Sequence, residues 1–112
     1  MSGNNALWIS RHPMDVQAEA ELRKIFGIEG IDSVDFVFSE SPQMAWIELK
    51  RLINDYEFFG GVFPAQVWFA MIEFQGSRML SNKTMFLVIS KAVNAEGGVR
   101  QFQFDHIEWY EF

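Results

Sequence analysis

Apolar residues in this chain come in short blocks whose period changes several times, with turn residues between them. Ala6-Leu7-Trp8-Ile9-Ser10 is a short apolar run, the pattern of a strand buried on both faces. Arg11-His12-Pro13-Met14-Asp15 interrupts it, and the spacing then becomes helical. Ala18, Leu22, Ile25 and Phe26 recur on one face, with Asp15 suited to cap the start and Gly27 to end the helix. Val34, Phe36 and Phe38 alternate around Asp35 and Val37, which predicts a second strand. Ser41 then fits an N-cap and Pro42 the first helical position. Ala45, Leu49, Leu52, Ile53 and Tyr56 mark one face of the helix that follows.

Tyr56 to Gly60 reads as a third strand, with Gly61-Val62-Phe63-Pro64 as its exit. Val67, Trp68, Met71, Ile72 and Gln75 have helical spacing, so a third helix is expected from Pro64. The stretch Val67 to Phe74 is apolar enough to be a strand instead. Thr84 to Val93 is a strand, Asn94-Ala95-Glu96-Gly97-Gly98 a turn, and a last strand runs from Val99 toward Phe112. Phe102 and Phe104 have one parity and Ile107 and Trp109 the other, so a bulge is expected near Asp105-His106.

The order β-α-β-α-β-α-β-β predicts one α/β domain over residues 1–112. The expected fold is a Rossmann-like three-layer sandwich with a mainly parallel sheet, order 2-1-3-4-5, and a C-terminal antiparallel hairpin. The three prolines, Pro13, Pro42 and Pro64, each fall where a strand hands over to a helix.

Composition narrows the function classes. Apolar residues make up 49% of the chain, enough for a core. Aromatics reach 16%, which a core alone accounts for, with coverage of a partner surface by part of them as the alternative. The net charge of −6 argues against binding long DNA or RNA, whose affinity rests on neutralising phosphates. A small anionic ligand held by a few local donors stays open. With no cysteine there is no disulfide, thiolate metal site or thiol nucleophile. Residues 1–5 lack the pattern of a signal peptide and no stretch is long enough to cross a bilayer, so a cytoplasmic protein is expected.

In open α/β sheets the ligand crevice lies beyond the carboxyl ends of the strands, where strand order reverses. Here that is between the first and third strands. The first turn offers the hydroxyl of Ser10, the guanidinium of Arg11 and the imidazole of His12, for ribose or phosphate contacts and proton transfer. A solvated loop with Ser10 capping it fits the same residues. Gly60 and Gly61 let backbone amides approach a ligand ahead of a helix N-terminus, or simply make a tight connection. Val62 and Phe63 continue that turn, Gln66 points from the first helical turn, and Ser90 and Lys91 stand at the end of the fourth strand. His106 is read as structural, and the pairs Asp32/Asp35 and Glu108/Glu111 as solvated surface. Neither a metal motif nor a GxSxG is present, and no metal or other cofactor is expected.

Three segments carry a family resemblance. The strand ending in Ser10-Arg11-His12 before Pro13, the segment Asp55 to Ala65, and the closing Phe102 to Phe112 follow in order along the chain. Together they resemble the compact ring nucleases of type III CRISPR systems, small Rossmann-like relatives of CARF domains. The resemblance implies a homodimer that binds a cyclic oligoadenylate across its two-fold axis and switches off the signal. It implies metal-independent cleavage, in which a ribose 2′-OH attacks the neighbouring phosphate in line. Ser10, Arg11 and His12 would meet ribose and phosphate, Gly61 would supply backbone donors and Lys91 would balance charge. Phe63-Pro64 stands where that family has a small residue. This keeps open a non-catalytic sponge for the cyclic nucleotide, and a third reading is a protein-interaction inhibitor of a defence system.

Overall fold

The computed structural model describes residues 4–74, 80, 82–94, 96–98 and 100–112. Among the described residues five strands and three α-helices follow one another as β1 (Asn5–Ile9), α1 (Val16–Phe26), β2 (Gly30–Val34), α2 (Pro42–Ile53), β3 (Phe58–Gly61), α3 (Ala65–Glu73), β4 (Thr84–Asn94) and β5 (Arg100–Glu111). The sheet order is β2-β1-β3-β4-β5, parallel except for the antiparallel β4–β5 pair. The expected Rossmann-like α/β sandwich is therefore the observed fold.

Alternation along β1 divides the core. Leu7 and Ile9 pack with Ala45, Leu49, Ile53, Val67 and Met71 of α2 and α3. Ala6 and Trp8 pack with Ala18 and Leu22 of α1 on the other face. Both faces of the strand are thus covered, which is why it reads as an unbroken apolar run.

Helix α1 starts and stops at the expected residues. Asp15 accepts from the Gln17 amide at 2.8 Å, and Gly27 adopts a left-handed cap with its N–H on the Arg23 carbonyl. Ile25 is the exception: it turns to solvent, while Phe26 packs on Phe58 and Trp109 of the sheet. Ser41 and Pro42 open α2 as read. Tyr56, expected on its apolar face, lies beyond its end, where its hydroxyl donates to Asp32 at 2.8 Å. The Lys83 ammonium donates to the carbonyls of Ile53 (2.8 Å) and Tyr56 (2.7 Å) and so closes the C-terminus of α2. Residues 67–73 are helical, which decides between the two readings of that stretch; Ile72 faces solvent and Gln75 lies outside the described residues.

The second strand is displaced from its expected position. It spans Gly30–Val34 rather than Val34–Phe38, because β1 offers only five residues and the ladder closes at Ile9↔Val34. Phe36 and Phe38 leave the sheet and pack edge to face, 4.9 Å apart, on the α2–α3 side of the core. Likewise β3 runs Phe58–Gly61 instead of residues 56–60.

Gly60 and Gly61 are both demanded by their neighbours. Gly60 lies between Trp8 and Phe86 in the ladder, and those two rings stack across it, 6.1 Å apart and 8° from parallel. A Cβ on Gly60 would stand 2.4 Å from the Phe86 ring and 2.6 Å from the Phe86 carbonyl oxygen. One on Gly61 would stand 2.1 Å from the Ile9 carbonyl oxygen. The last hairpin holds the expected bulge. Ile89 pairs with His106 and Ser90 with Phe104, which leaves Asp105 as the extra residue. The hairpin turns through Glu96–Gly98; Ala95 and Val99 lie outside the described residues. Among the described residues no helix is long and apolar enough to cross a membrane.

Gly60→Ala and Gly61→Ala are each expected to lower the unfolding free energy by about 3 kcal/mol, because backbone and a packed ring must shift. Gly97→Ala adds a Cβ with nothing within 4 Å and is expected to cost only about 1 kcal/mol, for its left-handed backbone. Urea unfolding of the three variants measures both effects, and equal midpoints would contradict the packing account.

Candidate functional site

The sheet order places the exits of β2, β1 and β3 side by side. Beyond the ladder, the Ser10 amide donates to the Val34 carbonyl and the Val62 amide to the Ile9 carbonyl, both at 3.0 Å. Three loops therefore rise together: residues 10–15, 35–41 and 62–64. They enclose an open cavity of about 460 Å³ lined by Ile9–His12, Asp35–Phe38, Val62–Pro64 and Gln66. That volume lies in the ordinary range of small-molecule sites, roughly 300–1,000 Å³.

The first turn is held by its own polar groups and by Trp8. The Trp8 indole N–H donates to the His12 carbonyl at 2.8 Å, and the His12 amide donates to the Ser10 hydroxyl oxygen at 3.2 Å. The Trp8 ring is itself fixed by the stack across Gly60. The backbone of this turn is thereby set, with the Ser10 hydroxyl engaged in holding it, while the side chains of Arg11 and His12 stay uncommitted. The Arg11 guanidinium, the His12 imidazole and the Asp35 carboxylate make no hydrogen bond or ion pair among the described residues.

The wall formed by residues 35–39 is pinned from α2 and α3. The Ser39 amide donates to one oxygen of Glu48 at 2.9 Å and the Ser39 hydroxyl to the other at 2.5 Å. The Gln66 amide nitrogen donates to the Ser39 carbonyl at 3.2 Å. The Ser39 hydroxyl first, and its amide second, hold the Glu48 carboxyl below the usual glutamate range. Buried Phe38 meets Phe63 edge to face, centroids 6.4 Å apart, and with Ile9 they give the cavity an apolar, aromatic floor. Val37 and Val62 stand exposed at its lip.

Of the residues singled out in the sequence, the cavity brings together Ser10, Arg11, His12, Val62, Phe63 and Gln66. Gly60 and Gly61 do not line it; what approaches them closely is the flanking strands. Ser90 and Lys91 do not line it either. β4 continues past them to Asn94, and the Lys91 ammonium sits 3.7 Å from Asp105 on the neighbouring strand. His106 contacts Asp105 at 2.7 Å and Glu108 at 3.2 Å, and Asp105 chiefly raises its pKa. The acidic pairs read as solvated surface divide: Asp32 is half-buried and hydrogen-bonded, whereas Asp35 lines the cavity. Asp35 and its three aromatic-rich neighbours were missed as site residues. The signal was available, since the order 2-1-3 puts the exit of the second strand beside that of the first.

Donors from Arg11 and His12 on one loop and an acceptor from Asp35 on the next, above an aromatic floor, suit a ligand of mixed chemistry. It would carry an anionic group, a hydrogen-bond donor such as a sugar hydroxyl, and a flat ring. The chain matches no family model, no curated protein and no solved structure.

Because the Glu48 pKa is depressed, its hold on residues 35–39 is complete above the ordinary glutamate pKa. It is lost as pH falls through the lowered folded value. Hydrogen-exchange protection of the Ser39 amide is therefore expected to decline in acid. Glu48→Gln is expected to show reduced, pH-independent protection there; wild-type protection that stays constant down to low pH would count against this anchor.

Proposed function

We propose that this cavity binds one nucleotide unit of a cyclic oligoadenylate and that the chain cleaves the ring without a metal ion. One observation carries the reading: Ser10-Arg11-His12, the segment 62–66 and Asp35 share a single cavity at the switch point of the sheet. The volume suits one nucleotide rather than a whole ring, and the open mouth leaves the rest of the ring outside.

In this reading Arg11 forks onto the phosphate and offsets charge that builds on its oxygens in the transition state. The base rests on the aromatic floor of Phe36, Phe38 and Phe63. Asp35 accepts a hydrogen bond from the ribose 2′-OH, which turns its oxygen toward the neighbouring phosphorus. As the 2′-oxygen bonds to phosphorus, its proton passes to solvent or to Asp35. The bond to the 5′-oxygen breaks, and His12 supplies the proton that this leaving oxygen takes. The products are a linear oligonucleotide with a 2′,3′-cyclic phosphate and a free 5′-hydroxyl.

One feature favours the sponge as a second reading. Nothing among the described residues orients the His12 imidazole, whereas a strong acid–base residue is usually held by a partner. Incubation with cyclic oligoadenylates separates the two: linear product supports the nuclease, and tight binding of intact ring supports the sponge. A chain whose melting point ignores every such ring would overturn both and favour a protein-blocking role. For the nuclease, His12→Ala is expected to slow single-turnover cleavage by about 10²-fold or more with little change in affinity. Arg11→Ala is expected to weaken binding by about 10- to 100-fold, read by calorimetry. Unchanged rate and affinity in both variants would refute the assignment.

A further inference from the structure

Strand β5 ends the sheet, and among the described residues nothing pairs with its outer edge. Such an edge is normally blunted by shortness, charged side chains, proline or a bulge. The opposite edge strand, β2, has five residues; β5 has twelve, with neither lysine nor proline, so what guards it are its four charged residues and its central bulge, which any occupant must match. Its inner half is also short of support. β3 pairs with β4 only as far as Phe86, so beyond that point β4 and β5 form a ribbon of two strands. A ribbon alone is marginal in water, and a third strand is what usually secures it. Phe102 lies on this ribbon with 74% of its surface exposed.

The bulge gives the edge an unusual symmetry. Through their partners on β4, residues 100, 102 and 104 face the same side of the sheet as 107, 109 and 111. Residues 101 and 103 likewise share the other side with 106, 108 and 110. Two copies of a regular strand keep matched faces only when paired residue numbers differ by an even count. The extra residue at Asp105 reverses that rule across the strand. Two copies of β5 laid antiparallel over their whole length therefore match face to face. In that register Arg100 meets the second copy's Glu111, Phe102 meets Trp109, and Phe104 meets Ile107. Gln101 meets Tyr110 and Gln103 meets Glu108. The two bulges meet at the centre, with Asp105 opposite His106. Every charge in the strand then faces an opposite charge or a neutral group. Phe102 lands on Trp109, which already packs edge to face on Phe26 at 5.3 Å.

We propose that a second copy of this chain occupies the β5 edge in that register, making a continuous ten-stranded sheet. The match of charge and apolar character over the full strand selects the second copy as occupant. The two-fold axis runs through the sheet and sends the two cavities to opposite ends. Each chain thus serves its own ligand, unlike the ring-sharing dimer that the family resemblance implies, and the pairing holds whatever the cavity binds.

Arg100 and Glu111 sit at opposite ends of β5 and cannot meet within one chain. Compensation between them therefore reports contact between two chains, and the test is analytical ultracentrifugation of wild type, Arg100→Glu, Glu111→Arg and the double exchange. Wild type is expected as a dimer of 13.0 kDa chains. Each single exchange is expected to raise the dimer Kd by about tenfold, and the double exchange to return it to near wild type. Both residues are exposed, and circular dichroism checks that each variant is folded. A wild-type monomer at millimolar concentration would overturn the proposal. So would a dimer that either single exchange leaves intact, or one that the double exchange fails to restore.

Discussion

The stack of Trp8 on Phe86 across Gly60 is the contact on which the rest of this structure depends. It needs a residue without a side chain at the middle of β3, because any Cβ there would collide with the Phe86 ring and backbone. In return the three central strands lie close, and the α1 side of the core closes over them. The same Trp8 ring donates its indole N–H to the His12 carbonyl. A packing constraint inside the sheet is thereby passed, through one hydrogen bond, to the turn that carries Ser10, Arg11 and His12.

The cavity has two kinds of wall for a related reason. Its first turn is held by hydrogen bonds between neutral groups, the Trp8 indole on the His12 carbonyl and the His12 amide on the Ser10 hydroxyl. Its second wall, residues 35–39, hangs on a carboxylate and on Gln66. The side chains that face a ligand are those left over once both walls are secured. This division suits a site that must present charged groups without relying on them for its own shape.

Much of the architecture was legible because local and global signals agree. Asp15, Gly27, Ser41 and Pro42 mark helix ends by backbone chemistry that needs no tertiary context. The parity break between Phe104 and Ile107 disclosed the bulge for the same reason: side-chain period in a strand is rigid. The displaced second strand shows where such reasoning stops. Alternation at Val34, Phe36 and Phe38 is real, but the length of β1 decides how far pairing runs, and the two phenylalanines alternate in a loop. Half of the site followed from the switch-point rule. For Gly60 and Gly61 spacing left open a ligand's approach or a tight connection; neither lines the cavity, and what approaches them is the flanking strands. Asp35 was grouped with Asp32 by composition, although one residue past the ladder puts it at the cavity and three residues back puts Asp32 beside Tyr56.

The central claim is that a ligand enters between the exits of β2, β1 and β3. Titration of isotope-labelled protein with cyclic oligoadenylate, followed by amide and indole resonances, tests it most directly. The account predicts shifts concentrated in residues 10–12, 35–38 and 62–66, with the Trp8 indole signal moving as the His12 carbonyl adjusts. Shifts confined to the β4–β5 ribbon, or to the helix faces away from these loops, would contradict it.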